Sequence, residues 1–374
     1  AKYYLKEIYA PNGYVRGTEI QEFTFEYQGD KTTQAVYEFI FEDMQTSVEL
    51  SKADLTDGKE LPGASLQVLD SNGTVVDEWI STEEPHMIRG LLVGETYTMV
   101  ETKPADGYTT AESIEFKVED TAEVQKHQML DDVTKVEINK TDVTDSKEIP
   151  GAKLTILDKD GKVVESWVSK KDPHMVEKLP VGTYTLREEQ APDGYLVAEE
   201  VSFEVKDSGE VQKVEMKDAR PVGKLVLKKT DAEDGSPLSG AEFELRIKKS
   251  GKVVATLVTD EEGVATSGDI PIASYKDGKM KKEIEYILVE TKAPDGYVRS
   301  EKEESVVFEY KDGKTKEIEI TKELTNERIP TGGYVKSPKT GDDTNIWLPI
   351  LLLVLSVGGI AGIFWYTKKK NHEE

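Results

Sequence analysis

Three lysines, each preceded by apolar residues at alternate positions, are the residues of this sequence best placed to do chemistry. Lys52 follows Val48 and Leu50, and Lys140 and Lys229 follow equivalent apolar pairs. Side chains two residues apart share one face of a β-strand, so we expect each lysine to point into a core. Because burying an unpaired charge is costly, each lysine must have buried partners.

A glutamate and an Asp or Asn follow the same two-residue alternation further along each repeat. The glutamates are Glu101, Glu188 and Glu290, and the terminal residues are Asp131, Asp218 and Asn326. The neighbouring Asp132 and Glu189 are alternatives, but the alternation and the count to the following tyrosine favour the first residue of each pair. The sequence therefore predicts three buried triads.

Such a triad can join two of its own side chains covalently. Burial lowers the pKa of a lysine and raises that of a carboxylic acid, so a neutral amine can lie beside a neutral acid. The amine is then a nucleophile, and the glutamate can polarise the Asp or Asn carbonyl and move protons. Proximity contributes roughly 7–11 kcal/mol to such reactions in favourable systems. The product is an amide that forms once, with loss of water from Asp or ammonia from Asn and no enzymatic turnover.

The glutamates lie in near-copies of one passage, which reads YTMVETKPADGY at 97–108, YTLREEQAPDGY at 184–195 and YILVETKAPDGY at 286–297. A fourth copy, at 3–14, belongs to a unit that retains Glu7 and, after the alternating Phe39 and Phe41, Asp43, but no lysine strand. A buried ion triad without a covalent bond is the alternative interpretation. Recurrence at one place in every complete repeat favours the crosslink.

The repeats predict an all-β chain of tandem antiparallel sandwiches, because Gly and Pro separate short alternating runs about every ten residues. We expect the end of a truncated sandwich at 1–45, complete sandwiches at 46–133, 134–220 and 221–328, the last with a hairpin inserted around 270–285, a linker at 329–345, one transmembrane helix at 346–366 and a basic tail at 367–374. Short linkers between the domains favour a stiff rod.

The composition excludes several classes of function. The 374 residues include no cysteine and four histidines, and the formal net charge is −25. Disulfides and thiolate sites are therefore impossible, and the acidic balance argues against nucleic acid as a partner. His86 and His174 have no partners at ligand spacing, so we expect no metal site and no other cofactor.

These units resemble the B-type repeat domains of Gram-positive collagen adhesins and pilins, which have the SpaA-type, prealbumin-like and immunoglobulin-like sandwich fold. The resemblance rests on the YxLxETxAPxGY passages, which match the pilin E box, and on the SKAD, NKTD and KKTD starts, which match the lysine strand. It covers nearly all of 1–328 and implies Lys–Asp or Lys–Asn isopeptide bonds catalysed by the E-box glutamate. The implied triads are Lys52–Glu101–Asp131, Lys140–Glu188–Asp218 and Lys229–Glu290–Asn326.

The C-terminus carries a pattern typical of cell-wall sorting. Residues 347–366 form an apolar run of about twenty residues, long enough to span a bilayer, and Lys368–Lys370 should remain cytoplasmic. The preceding motif resembles the sortase signal, with serine in place of leucine, and consists of Ser337, Pro338, Lys339, Thr340 and Gly341. The resemblance implies cleavage after the threonine, and a plain single-pass anchor is the alternative.

We therefore expect a stalk on the Gram-positive cell surface, exported through a membrane intermediate and joined by sortase to peptidoglycan or to a pilus subunit. It would display a tip for a host or surface ligand beyond residue 1. A crosslink over the 79 residues from Lys52 to Asp131 would stabilise its domain by roughly 4–5 kcal/mol, by the chain-entropy account of disulfides. A polymerising shaft pilin and the spacer of a surface enzyme are the alternatives.

Overall fold

The computed structural model describes residues 1–30 and 33–330, which contain β-strands, turns and loops and no helix. Residues 1–327 form one compact unit. Within the described part, therefore, no helix is long and apolar enough to cross a membrane. The predicted sorting motif from Ser337 to Gly341, the predicted span at 346–366 and the predicted tail at 367–374 lie outside the described residues.

Segment 1–45 contributes four short strands, which are β1 (Lys2–Lys6), β2 (Tyr14–Val15), β3 (Ile20–Thr24) and β4 (Met44–Gln45). β1 pairs antiparallel with β3, and β2 pairs antiparallel with β4. The expected strand through Phe39, Phe41 and Asp43 is wrong, because residues 33–43 form no strand. A strand needs a hydrogen-bonded neighbour, and none pairs with this segment in the described part of the chain.

Segment 46–133 forms two packed sheets from seven strands. In chain order these are β5 (Ser47–Asp54), β6 (Ser65–Leu69), β7 (Val75–Ile80), β8 (His86–Arg89), β9 (Thr96–Lys103), β10 (Ile114–Lys117) and β11 (Gln125–Asp131). One sheet has the order β11–β5–β8 and the other the order β10–β9–β6–β7. Buried positions alternate along β5 as far as Lys52, as the two-residue period of the sequence predicts.

Segment 134–220 repeats this arrangement with seven further strands. They are β12 (Lys135–Asp142), β13 (Lys153–Leu157), β14 (Val163–Val168), β15 (His174–Glu177), β16 (Gly182–Gln190), β17 (Val201–Val205) and β18 (Val211–Asp218). The two sheets have the orders β15–β12–β18 and β14–β13–β16–β17. Each strand therefore occupies the place of the strand seven earlier in the chain.

Segment 221–328 has the same two sheets and additional strands. They are β19 (Val222–Asp231), β20 (Glu242–Ile247), β21 (Val253–Val258), β22 (Val264–Thr266), β23 (Ile270–Pro271), β24 (Ala273–Lys276), β25 (Lys279–Glu283), β26 (Glu285–Lys292), β27 (Glu304–Val307) and β28 (Glu317–Asn326). β19 pairs with β22, β23 and β28, and the opposite sheet has the order β21–β20–β26–β27. β24 and β25 form a hairpin, with left-handed backbone at Asp277 (φ 53°) and Gly278 (φ 66°), as tight hairpin turns require.

The first and last strands of each sandwich lie side by side and run parallel, as β5 with β11, β12 with β18 and β19 with β28. The expectation of a purely antiparallel sandwich is wrong at this place. Parallel neighbours need a long connection, and here the rest of the domain is that connection. In every pair the lysine lies opposite the residue two before the terminal Asp or Asn: Lys52 opposite Met129, Lys140 opposite Met216 and Lys229 opposite Leu324.

The core of each sandwich lies between its two sheets. Around Lys52 it includes Leu50, Met99 and Met129, each at most 1 % exposed. Because side chains at every second position share a face, Lys52 and Asp131 point into this same apolar layer. Apart from one another and Glu101, these two side chains have apolar neighbours there.

Candidate functional site

The three predicted lysines are fully buried on the first strand of each sandwich. Lys52, Lys140 and Lys229 are each 1 % exposed. Each amine contacts a side-chain oxygen on the last strand: Lys52 Nζ contacts Asp131 Oδ1, Lys140 Nζ contacts Asp218 Oδ1, and Lys229 Nζ contacts Asn326 Oδ1. The structure therefore brings each lysine together with the terminal residue predicted for it.

The predicted glutamate reaches each amine from an interior strand of the opposite sheet. The distance from its Oε1 to the amine is 2.9 Å for Glu101, 3.2 Å for Glu188 and 3.5 Å for Glu290. These are ion-pair distances, although Oε1 of Glu101 and of Glu188 lacks hydrogen-bond geometry. Each amine thus directs its hydrogen bond at the Asp or Asn and has the glutamate beside it.

The second oxygen of each glutamate accepts a hydrogen bond from a backbone N–H ten residues further along. Glu101 Oε2 accepts from Ala111 at 2.7 Å, Glu188 Oε2 from Ala198 at 2.7 Å and Glu290 Oε2 from Ser300 at 2.5 Å. These bonds fix the orientation of the carboxyl groups. Sequence reasoning missed them, although Gly, Ala or Ser stands three residues after the final tyrosine of every E-box passage.

The neighbouring alternatives lie elsewhere. Glu189 is exposed, and Asp132 accepts hydrogen bonds from Lys135 Nζ at 2.8 and 2.9 Å. Glu188 and Asp131 are buried instead, since successive residues of a strand face opposite sides of the sheet. The geometry therefore places Glu188 and Asp131, and not their neighbours, beside the lysines.

Burial changes the proton affinities in these clusters. It raises the pKa of Asp131 to about 7, against the opposing attraction of Lys52, and raises the pKa of Asp218 to about 7 in the same way. The carboxylate of the nearby glutamate adds to both shifts. Burial also lowers the pKa of Lys229. These directions favour the neutral acid at Asp131 and Asp218 and the neutral amine at Lys229, which are the forms that react to give an amide.

The atoms that would depart differ between the clusters. Asn326 Nδ2 donates a hydrogen bond to Glu290 Oε1 at 2.9 Å, so the glutamate touches the group that would leave as ammonia. In the other two clusters, Asp131 Oδ2 and Asp218 Oδ2 are buried without a hydrogen-bond partner. A buried charged oxygen without a partner is costly, and protonation of the carboxyl lowers that cost because it removes the charge.

A further recurring contact, which sequence reasoning also missed, links each E-box passage to the lysine strand. The final tyrosine of the passage donates its hydroxyl to the aspartate two residues after the lysine, at 2.7 Å from Tyr108 to Asp54, 2.8 Å from Tyr195 to Asp142 and 2.7 Å from Tyr297 to Asp231. Its sequence signal is the Lys-x-Asp spacing together with the closing Gly-Tyr. The bond lies at the end of each sandwich.

Lys178 of segment 134–220 reaches this end of segment 46–133. Its Nζ lies 3.2 Å from Asp54 Oδ2 and 2.5 Å from the Tyr108 hydroxyl. Burial alone would raise the pKa of Asp54, but hydrogen bonds from Tyr108, a backbone N–H and Lys178 outweigh it and lower the pKa. Asp54 is therefore ionised at neutral pH, and its contact with Lys178 is an ion pair.

The junction between segments 134–220 and 221–328 uses other residues. Arg220 Nε donates to Asp142 Oδ2 at 2.8 Å, and its guanidinium lies 4.0 Å from the centre of the Tyr275 ring. Tyr275 belongs to the hairpin β24–β25, and its hydroxyl donates to the Gly194 carbonyl at 2.6 Å. The inserted hairpin thus packs against the preceding sandwich.

His86 and His174 lie at equivalent places on the edge strands β8 and β15. The ring of His86 stacks on Trp79 with centres 4.2 Å apart, and that of His174 on Trp167 with centres 4.3 Å apart. Each ring Nε2 also contacts one carboxylate, at 2.9 Å and 2.6 Å. Across residues 1–30 and 33–330, no group of three or more His, Cys, Asp and Glu side chains could hold a metal ion.

The parallel pairing of first and last strands and the buried Lys–Glu–Asp or Lys–Glu–Asn clusters define a class of tandem prealbumin-like sandwiches. Three stretches of the chain, 46–132, 134–220 and 223–324, match the family model of the SpaA prealbumin-like fold domain. Because these stretches make up more than half of the sequence, the chain belongs to the SpaA-type prealbumin-like domain family. No curated protein sequence matches it.

Several solved structures are similar to this chain. The Bacillus anthracis TIE protein is 28 % identical, with a TM-score of 0.50, over 76 % of this chain and 52 % of that one, so this chain spans about half its length. BcpA, the major pilin subunit of Bacillus cereus, is 19 % identical, with a TM-score of 0.43, over 76 % and 99 % of the two chains. The major pilin SpaD from Corynebacterium diphtheriae is 16 % identical, with a TM-score of 0.36, over 76 % and 98 %.

Proposed function

We propose that each buried cluster forms an intramolecular isopeptide bond. The lysine amine attacks the side-chain carbonyl carbon of the Asp or Asn, and the new C–N bond replaces the C–O or C–N bond to the departing group. Water leaves from Asp131 and Asp218, and ammonia leaves from Asn326. The observation that carries this proposal is the complete burial of three amines, each against an acceptor with a glutamate beside it.

The role of Glu101, Glu188 and Glu290 is to carry a proton from the attacking amine to the departing group. The hydrogen bond from Asn326 Nδ2 to Glu290 supports this role, because it joins the proton carrier to the leaving atom. The backbone bond to the other glutamate oxygen supports it too, since it holds the carboxyl in one orientation. The reaction occurs once in each domain and gives no turnover.

Intact-mass spectrometry of a chain covering 1–330 tests the proposal. We expect a mass lower than the sequence mass by two waters and one ammonia. Glu188→Ala should restore one water, because the proton carrier is lost while Lys140 and Asp218 remain. The exposed neighbour provides the matched control, and Glu189→Ala should keep the complete loss. A wild-type chain at its unmodified mass would contradict the proposal.

The crosslinked sandwiches are, in this proposal, the stalk of a cell-wall-anchored adhesin or minor pilin of a Gram-positive bacterium. Membership of the SpaA-type family supports a surface role. The parallel pairing of first and last strands supports a mechanical one, because a bond between them would carry tension past the rest of the domain. A ligand-binding tip would lie N-terminal to the stalk.

Attachment through the C-terminus completes the proposal. Sortase would cleave between Thr340 and Gly341 and transfer the threonine carbonyl to an amine of peptidoglycan or of a pilus subunit, after the 346–366 span has held the chain in the membrane. Muralytic enzymes should release the protein from cells, and detergent should not. A Thr340→Ala chain should stay in the membrane or be shed. Complete extraction of the wild type by detergent would show a permanent membrane anchor instead.

A further inference from the structure

A cavity of about 300 Å³ adjoins the Lys229–Glu290–Asn326 cluster of segment 221–328. Its lining includes Lys229 and Glu290, which are each 1 % exposed, together with Ser300, Lys302 and Glu304. Lys302 is exposed, and the Glu304 side chain, whose Oε1 lies 2.5 Å from Lys302 Nζ, is 20 % exposed. The cavity therefore connects two buried groups of the cluster with residues that reach solvent.

One residue that lines this cavity differs in type from its counterparts in the other two sandwiches. It lies on the edge strand, opposite the residue that stands two before the E-box glutamate. The pairs at this place are Ile114 with Met99, Val201 with Leu186 and Glu304 with Leu288. Ile114 and Val201 pack against the cores of their sandwiches. Segment 221–328 therefore has a carboxylate where the other two sandwiches have an apolar side chain that covers the core.

The residue that donates its backbone N–H to the glutamate differs in the same way. Ala111 and Ala198 pack against the cores of their sandwiches, whereas Ser300 lines the cavity. Two apolar residues are thus replaced by polar ones beside the same cluster. A cavity of this size has room for water molecules, and its carboxylates and hydroxyl offer them hydrogen bonds. The cluster of segment 221–328 is therefore open to water through this cavity.

The cluster beside the cavity is also the one that would release ammonia. Asn326 Nδ2 donates a hydrogen bond to Glu290 Oε1 at 2.9 Å, and Glu290 lines the cavity. The departing nitrogen is therefore one hydrogen bond away from a residue of the cavity wall. Ammonia that stayed beside the new amide could attack its carbonyl carbon and reverse the reaction. Ammonia that reaches water at neutral pH takes up a proton and is no longer a nucleophile.

We propose that this cavity is the exit route for the ammonia, and that Glu304 keeps its opening accessible to water. Lys229 Nζ bonds to the side-chain carbonyl carbon of Asn326, the bond from that carbon to Nδ2 breaks, and Glu290 passes one proton from the amine to Nδ2. The ammonia then crosses the cavity and takes up a proton from solvent. This inference rests on the isopeptide chemistry proposed above and adds a route for one of its products.

Replacement of Glu304 by the residue of segment 46–133 at this place tests the proposal. A 1–330 chain carrying Glu304→Ile is made by cell-free synthesis and sampled over time into acid, and mass spectrometry of the intact chain and of its peptides follows each loss. Ammonia loss should be roughly tenfold slower than in the wild type, because a small polar molecule must then cross an apolar layer. The two water losses in the same chain should keep their wild-type rates and provide an internal control.

Two control variants isolate the effect of the apolar side chain. Glu304→Gln keeps a polar side chain of the same size and should keep the wild-type rate of ammonia loss. Glu303→Ile places isoleucine at the exposed neighbour and should also keep that rate. All three variants should finally reach the wild-type mass, which would show that the domain folds and reacts.

Three results would overturn the exit route and leave the proposed function intact, provided that the wild type has lost two waters and one ammonia. They are an unchanged rate of ammonia loss in Glu304→Ile, an equal slowing in Glu304→Gln, and a Glu304→Ile chain that never loses its ammonia. A wild-type chain that loses neither water nor ammonia would overturn both the exit route and the proposed function.

Discussion

Lys52 and Lys178 both contact an aspartate of segment 46–133, yet the two contacts differ in burial, third group and charge. Lys52 is 1 % exposed, whereas the Lys178 side chain is 52 % exposed. A glutamate accompanies Lys52, and a tyrosine hydroxyl accompanies Lys178. Burial raises the pKa of Asp131, whereas hydrogen bonds outweigh burial and lower the pKa of Asp54.

In the proposed chemistry, this difference means that an amine next to a carboxyl is not by itself enough for amide formation. At Asp54 the hydrogen-bond donors stabilise the carboxylate, which is a poor electrophile, and the contacts with Tyr108 and Asp54 raise the pKa of the Lys178 amine. At Asp131 the apolar surroundings favour the protonated acid, and Glu101 can accept and return a proton. We therefore expect a covalent bond at the first site and an ion pair at the second.

The largest effect should follow removal of one buried lysine. Lys140→Met removes the proposed crosslink of segment 134–220, which should cost about 4–5 kcal/mol for a closed interval of this length and lower the melting temperature of that domain by roughly 20 °C or more. Differential scanning calorimetry and limited proteolysis measure both. Lys178→Met, which removes the partly exposed amine beside Asp54, is the variant whose melting temperature is compared with that of Lys140→Met. Equal melting of the two variants would remove the distinction between the sites.

A second prediction concerns force. The proposed bond bypasses the 78-residue interval between Lys140 and Asp218. At about 3.4 Å per residue, the unfolding of this interval would lengthen the chain by roughly 270 Å. Single-molecule stretching of Lys140→Met should show one such step, and the wild type should show none. Steps of this size in the wild type at ordinary unfolding forces would rule out the crosslinked stalk.

The third prediction concerns pH. In Lys140→Met the Asp218 carboxyl remains unreacted, and its folded pKa, about 7 with the lysine present, should rise further because the lysine opposes the shift. Since the folded pKa lies above the unfolded one, the stabilisation is complete below about pH 4 and is lost as the pH rises through 7, by up to about 1.4 kcal/mol per pH unit.

The melting temperature of the Lys140→Met domain should therefore fall between pH 5 and pH 8. The matched control adds Asp218→Asn, which removes the titrating group and should flatten the dependence. The wild-type domain should show little pH dependence from Asp218, because the proposed amide would have consumed its carboxyl group. A flat profile for Lys140→Met alone would mean that Asp218 does not bind a proton in the fold.

The smallest effect should come from the ion pair between domains. Lys178→Met removes one partly exposed charge, and exposed pairs contribute about 1 kcal/mol or less. We expect a melting shift of a few degrees at most and the same mass loss as in the wild type. If Lys178→Met lost one water fewer than the wild type, a covalent bond between Lys178 and Asp54 would be revealed. The distinction between the Lys52 and Lys178 sites would then be wrong.

The sequence was sufficient for the clusters because alternation is a local property. Lys52, Glu101 and Asp131 each continue an apolar pattern, and a period of two determines the face of a strand without knowledge of its neighbours. The parallel pairing of β5 with β11 was not predictable in this way, because it depends on which strands meet after folding. The Ala111 N–H bond to Glu101 was missed since a backbone donor has no residue type.

The contacts between neighbouring domains could not be predicted from local sequence patterns. The turn around Asp277 and Gly278 could be read from the sequence. The contact of Tyr275, on the same hairpin, with the Gly194 carbonyl could not be predicted, because it joins two domains. The strand predicted through Phe39, Phe41 and Asp43 does not form. The alternation of these residues is regular, but no strand pairs with residues 33–43 in the described chain, so no ladder of hydrogen bonds forms.

The side-by-side arrangement of first and last strands has a consequence for how such a chain can vary. The hairpin β24–β25 lies inside the 97-residue interval between Lys229 and Asn326, which the proposed bond bypasses. Residues added to such an interval make the domain bulkier but leave the load path along β19 and across the bond unchanged. The reach of the stalk would then depend on how many domains it has and not on how many residues each contains, so loops could change during evolution without altering the distance the stalk spans.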